Sequence, residues 1–174
     1  RVDMRGNGDS DGIMQDEYTE LELSDGVEII NWLAAQSWCT GKVGMMGISW
    51  GGFNSLQIAE LAPEPLKAII TLCSTVDRYA DDIHYKGGCL LNENLGWGST
   101  MWSYSSRPPD PMVVGDAWAN MWTQRMKAEP FLPIKWLKHQ TRDNYWKHGS
   151  VCENYDGIQS AVLAVGGWGD AYKN

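Results

Sequence analysis

Gly41-Lys42-Val43-Gly44-Met45-Met46-Gly47-Ile48-Ser49-Trp50-Gly51-Gly52 is the stretch that decides the fold. Val43 to Ile48 is a short apolar run bounded by glycines, the pattern of a strand buried on both faces. A helix is predicted directly after it, over about 52–61, ended by Pro63. Between the two stands Gly47-Ile48-Ser49-Trp50-Gly51, which matches G-x-S-x-G. A serine on a sharp turn from buried strand to helix is lifted above the sheet, where its hydroxyl can act as a nucleophile. The turn forces the serine backbone into strain, and small residues two before and two after it let neighbouring backbone pass closely. The Trp50 N–H, at the helix N-terminus, would point toward negative charge developing on a substrate oxygen. The plainer alternative is a glycine-rich helix start packed on the sheet. The strand before and the helix after favour the nucleophile, Ser49.

Working outward, Thr40-Gly41-Lys42 is a turn, preceded by a helix predicted over about 26–36 with Asp25 as its cap. Leu66 to Leu72 reads as a second buried strand and Gln159 to Gly166 as a third. Strand, helix, strand in this order predicts an α/β class with a mostly parallel, helix-covered sheet. Arg5 to Asp16 is Gly- and Asp-rich and reads as a surface loop. Residues 76–156 lack strand-like runs and are rich in Trp, Tyr, Met and Pro, with helices predicted over 116–128 and 133–139. So long a stretch between two sheet strands is too much for a connection. It reads as an inserted helical cap, dividing a core into residues 1–75 and 157–174.

The candidate acid is Asp170, in Gly166-Gly167-Trp168-Gly169-Asp170, just past the third strand. It suits the chain order nucleophile, acid, base that accompanies such a serine turn. No histidine follows it. His84, His139 and His148 all precede it, so any of them as base would break that order. The chain begins at Arg1, not at a methionine, and stops just past Asp170; both ends look cut, and the base is expected on a later loop outside this sequence. A serine without its base keeps its high pKa, so the segment alone is expected to be inactive.

A formal charge of −8 argues against nucleic acid or an anionic membrane as partner. No run of 18 apolar residues is present, so no span across a membrane is predicted. Cys39, Cys73, Cys89 and Cys152 are too far apart in sequence for a CxxC-type metal or redox site. Reduced, mostly buried thiols are the ordinary reading, which leans toward a reducing, cytoplasmic compartment while leaving the compartment open. Asn7 to Gly12 resembles the start of a calcium loop, but position 12 of that loop would be Tyr18 instead of Glu; no metal and no cofactor is expected. Several of the ten tryptophans fall in the cap, where they can form its core or wall an apolar pocket. Trp97, Trp168 and Tyr172 are candidate pocket residues.

Three motifs in order carry a resemblance over essentially the whole chain: residues 41–52, Asp3-Met4-Arg5-Gly6-Asn7-Gly8-Asp9-Ser10-Asp11-Gly12, and Gly167-Trp168-Gly169-Asp170. Together they resemble the X-prolyl dipeptidyl-peptidase and cocaine-esterase-like (CocE/NonD) serine hydrolases. The resemblance implies an α/β-hydrolase core, a helical cap, and usually a C-terminal jelly-roll domain that this chain lacks. It implies an acyl-enzyme on Ser49, a His oriented by Asp170, an oxyanion N–H from Trp50, and a second oxyanion donor from a Tyr before residue 1. The substrate would be a small molecule or peptide; esterase and dipeptidyl-peptidase stay open alternatives. Relatives that resemble α-amino-acid ester hydrolases carry carboxylates just after the acid, which hold a substrate ammonium. Here Ala171, Tyr172 and Lys173 stand there, leaving Asp77, Asp81 and Asp82 as candidates for that task. A non-catalytic binding or scaffold protein on the same fold is the competing class.

Overall fold

A computed structural model describes residues 2–173. Along the chain run α1 (Glu20–Ala34), β1 (Val43–Ile48), α2 (Trp50–Glu60), β2 (Leu66–Leu72), β3 (Tyr85–Lys86), β4 (Cys89–Leu90) and α3 (Glu93–Ser105). They are followed by α4 (Pro111–Val114), α5 (Trp118–Ala128), α6 (Leu132–Trp136), α7 (Asn144–Lys147) and β5 (Ala161–Val165). The chain divides into two compact units. One comprises residues up to Glu22 with Asn92–Gln140, the other Leu23–Leu91 with residues from Thr141 on.

The second unit holds a parallel sheet in the order β1-β2-β5. The pairing stacks Met45, Ile69 and Val162 in one row and Met46, Ile70 and Leu163 in the next. The row on Met45 and Ile69 packs with Leu23 and Ile30 of α1 and Leu56, Ile58 and Ala59 of α2. Each such side chain removed from water contributes about 1.5–3 kcal/mol. Gly26 is where α1 meets α2: a Cβ there would lie 2.3 Å from Ile58 Cδ1.

Four expectations are corrected. No strand is buried on both faces along its length: β1 is open on one face, with Met46 and Ile48 72% and 64% exposed, and β5 is exposed along its length. A short apolar run cannot tell one covered face from two, because both demand the same residue types. The first helix starts at Glu20, and Asp25 lies inside it. The start signal overlooked is Thr19, whose Oγ1 accepts the Glu22 N–H at 3.1 Å, as expected of a Thr-x-x-Glu helix start. α2 likewise begins at Trp50, two residues before the expected start. The four cysteines are free as expected, but none is buried, and Cys89 is exposed.

In the first unit, the Asn7–Gly12 loop is tied down by Arg125 of α5, which is 1% exposed. Its guanidinium donates to the carbonyls of Gly8 (2.9 Å), Ser10 (2.8 Å) and Arg107 (2.9 Å). Asp9 accepts the Asp110 N–H at 2.7 Å. Trp136, fully buried, donates its indole N–H to Asp16 at 3.0 Å. Both tryptophan and arginine here are therefore core pieces of this unit: the indole N–H is paired and both terminal guanidinium nitrogens donate, while the buried Arg125 Nε has no hydrogen-bond partner among the described residues.

Glu129, at the C-terminal end of α5, has a buried Oε2 with no hydrogen-bond partner among the described residues. Burial pushes its carboxyl from the ordinary 4.5 up to about 7, against the pull of Arg125. The folded state thus holds a proton that the unfolded chain releases between those values. The stability tied to it is fully present below about 4.5 and is lost as pH rises through about 7. Glu129→Gln is expected to raise the thermal midpoint at pH 8 and leave it nearly unchanged at pH 4.5. Melting curves at the two pH values check this; an equal shift at both would contradict it.

Candidate active site

Ser49 sits between the last residue of β1 and the first of α2 with φ 53° and ψ −121°. That backbone region is closed to most residues with a Cβ, and holding it costs of order 1–3 kcal/mol. Three contacts hold it. The Ser49 N–H donates to Leu72 O at 3.0 Å, its own carbonyl accepts the Phe53 N–H at 2.9 Å, and Gly47 lies against Gly51. A Cβ on Gly47 would stand 2.2 Å from the Gly51 carbonyl carbon. A Cβ on Gly51 would meet nothing within 4 Å. The expectation of two tight glycines flanking the serine is therefore half right. The second tight position is Gly52, where a Cβ would lie 2.9 Å from Leu72 O. Thr71 Oγ1 donates to Gly52 O at 3.0 Å and fastens α2 to the end of β2.

Because β1, β2 and β5 are parallel and in register at Ile48, Leu72 and Val165, the residues that follow them leave the sheet at one edge. Ser49, Cys73 and the Gly166–Asp170 turn are those residues. Cys73 has φ 48° and donates its N–H to Val165 O at 3.0 Å. The turn closes with Asp170 N–H on Gly167 O at 3.0 Å, and Asp170 Oδ1 accepts the Tyr172 N–H at 2.8 Å. The hydrogen bond from the Cys73 thiol, then that from the Tyr172 N–H, hold the Asp170 carboxyl below the usual carboxylate range. The same carboxylate pushes the Cys73 thiol up. Asp170 is thus an ionised acceptor at neutral pH and Cys73 a neutral donor.

The other expected residues are dispersed. Trp50 is the first residue of α2, so its N–H lies at the positive end of the helix. Tyr172 packs edge-on against Phe53, centroids 5.4 Å apart. Trp168 is fully exposed. Trp168 and Tyr172 line a cavity of about 620 Å³, together with Leu56, Val76, Ile158 and Val162. Ser49 and Asp170 are not among its lining residues, and the cavity runs along the α2 side of β5. Trp97 belongs to the first unit, where its indole N–H bonds Glu17.

Asp81 is buried, with Oδ1 2.6 Å from Lys86 Nζ and Oδ2 accepting the Lys173 N–H at 2.6 Å. A substrate ammonium would have to displace Lys86 from it. Asp82, also buried, accepts the Ile83 N–H at 2.7 Å. Asp77 Oδ1 accepts from Tyr79 and Ala80, and its Oδ2 pairs with Arg142 at 3.0 Å. Burial raises the Asp77 carboxyl, but these donors together hold it below its ordinary value. His84 is fully buried against Trp146, centroids 5.2 Å apart. His148 follows α7, and its carbonyl accepts from Arg78 at 2.9 Å. Sequence reasoning missed Cys73 and Lys86. The first had a signal: it is the residue after a strand lying between the strands of Ser49 and Asp170.

Comparison with known proteins gives a consistent picture. The model of the X-Pro dipeptidyl-peptidase (S15) family matches residues 1–174. Cocaine esterase from Rhodococcus sp. (strain MB1 Bresler) is 26% identical over 170 residues, covering 86% of this chain and 30% of that protein. The chain therefore spans less than a third of this relative's length. Among solved structures, a CocE/NonD family hydrolase from Staphylococcus aureus aligns at TM-score 0.68 and 24% identity, covering 90% of this chain and 25% of that one. An aminopeptidase from a marine sediment Thaumarchaeota archaeon aligns at TM-score 0.64 and 22% identity, covering 93% and 30%. These two likenesses establish the α/β-hydrolase-type core.

The contrast between the glycines is testable. Gly47→Ala is expected to cost about 1–3 kcal/mol or more, since backbone must move to admit the methyl. Gly51→Ala should be neutral or stabilising by up to about 1 kcal/mol, the helix preference of Ala over Gly. Denaturant unfolding of the two variants checks this; equal losses would refute the spacing described.

Proposed function

This chain belongs to the X-Pro dipeptidyl-peptidase (S15) family, and from that premise we propose that it carries the nucleophile and the acid of a serine hydrolase cleaving ester or amide bonds. The observation that carries the reading is the backbone of Ser49, strained at φ 53° on the edge where the Asp170 turn also emerges. Strain of this kind persists where surrounding contacts impose it, and it gathers at reactive groups.

In the proposed reaction the Ser49 Oγ adds to the substrate carbonyl carbon while a histidine takes its proton. We take that histidine to come from outside these 174 residues. The negative oxygen so formed meets the Trp50 N–H. Collapse of the intermediate breaks the bond to the leaving alcohol or amine, which receives the proton from the histidine. Water then repeats the addition on the acyl-enzyme and releases the acid. Asp170 would accept the other imidazole N–H, fixing its tautomer and stabilising its cationic form. Residues 76–156 would set which acyl groups reach Ser49. Substrates are small molecules or peptides, and a single triad serves esters and X-Pro peptides alike.

A fluorophosphonate probe applied to the full-length protein is expected to label Ser49. Ser49→Ala should abolish labelling, and Asp170→Asn should slow turnover roughly 10²- to 10⁴-fold. The 174-residue segment alone should show no turnover. A wild-type protein that neither labels nor hydrolyses p-nitrophenyl esters or Xaa-Pro anilides would point to a non-catalytic relative instead.

A further inference from the structure

The turn that presents Asp170 contains no regular structure, so something outside it must fix it. The three residues after Asp170 are each tied. Ala171 O accepts from Lys86 Nζ, Tyr172 N–H donates to Asp170 itself, and Lys173 N–H donates to Asp81 Oδ2 at 2.6 Å. Lys86 is in turn paired with Asp81 Oδ1 at 2.6 Å. Two of these ties therefore converge on one carboxylate, which is buried while Lys86 stays partly exposed.

The anchor for these groups is rigid. Asp81 and Lys86 face each other across an antiparallel bridge, Asp82 N–H donates to Tyr85 O at 2.9 Å, and Gly87 N–H donates to Ala80 O at 2.7 Å. Tyr85, buried, stacks on Tyr79 with centroids 4.7 Å apart. Asp81 N–H also donates to Asp77 O at 3.3 Å, and Asp77 is held by Arg142, which bonds Glu153 as well. The hairpin is thus pinned from both sides before it reaches the acid turn.

We propose that Lys86 and Asp81 are positioning residues for the acid, acting as a two-point clamp on residues 171–173 that aims the Asp170 carboxylate. This rests on the reading of Asp170 as the triad acid. Neither residue touches the reacting atoms. Removing the clamp leaves the sheet and core intact but frees the backbone on which the carboxylate is mounted, and a displacement near 1 Å at a catalytic group costs on the order of 100-fold in rate.

The test uses the full-length protein with p-nitrophenyl acetate and parallel melting curves. Lys86→Met is expected to lower kcat about 10- to 100-fold with KM within about threefold and an unchanged melting temperature. Lys86→Arg, which can still pair with Asp81 and reach a carbonyl, should restore most of the rate. Asp81→Asn should lower kcat similarly, and the double variant Lys86→Met/Asp81→Asn should be no worse than either single one, as expected of a coupled pair. Lys86→Met with wild-type kcat beside an inactive Asp170→Asn overturns the clamp alone. So does a loss that follows the melting temperature down and is not restored by arginine. An Asp170→Asn variant with full activity overturns the reading of the acid, and the clamp falls with it.

Discussion

Two backbone hydrogen bonds just beyond the ends of the strands govern this site. Ser49 N–H donates to Leu72 O and Cys73 N–H to Val165 O, each at 3.0 Å. Both donors have left-handed backbone although neither is glycine. Each bond carries the parallel ladder one residue past its strand and then forces the chain to turn away. The result is a step repeated twice across the sheet, from β1 to β2 and from β2 to β5. A serine stands on the first step, a thiol on the second, and the acid turn leaves from the third strand. Strain at two adjacent positions is sustainable because the sheet beneath them is buried against α1 and α2 on one face.

The elbow and the acid turn are stabilised in different ways, and that governs how much of each could be read. The elbow is written in local terms. Gly47 must be glycine because Gly51 lies against it, and Gly52 because of Leu72 O. A strand pattern before and a helix pattern after complete the signal, so β1 and β2 were legible to the residue, and with them the parallel pairing, though not the order of the strands in the sheet. The acid turn is held by Cys73, Asp81 and Lys86, which lie far from Asp170 in sequence. Nothing in the spacing of Asp81 or Lys86 announces a partner near 172. Asp81 read instead as a carboxylate open to a substrate ammonium, an assignment that requires knowing that Lys86 stands across the bridge from it.

The same distinction explains the remaining differences. Thr19 and Glu22 form a helix start visible in sequence, yet Asp25 offered a competing cap and the apolar period began closer to it. The second open face of the sheet was illegible for another reason. Met46, Ile48, Leu163 and Val165 are the residues a covered face would carry, and residue type records what a face is suited to, not what covers it in a given stretch of chain. Trp97 and Trp168 likewise share a residue type but not an environment. One is bonded to Glu17 within the first unit, the other is fully exposed in the second.

Electrostatics at the acid turn favour the charge that a triad needs. The thiol of Cys73 and the N–H of Tyr172 both donate to Asp170, and Lys86 adds a smaller attraction. A carboxylate stabilised this way stays ionised well below neutral pH, and only an ionised carboxylate can stabilise an imidazolium. Yet every donor already on the oxygens occupies a lone pair that an imidazole N–H would otherwise use. A carboxylate offers about four such places. The Tyr172 N–H occupies one of them, and an imidazole that served Asp170 as proposed would need another. Among the donors to Asp170 the thiol is the weakest and the one most easily turned aside, because rotation about a single bond removes it while the peptide N–H groups remain. Its position beside Asp170 therefore costs little when a stronger donor arrives.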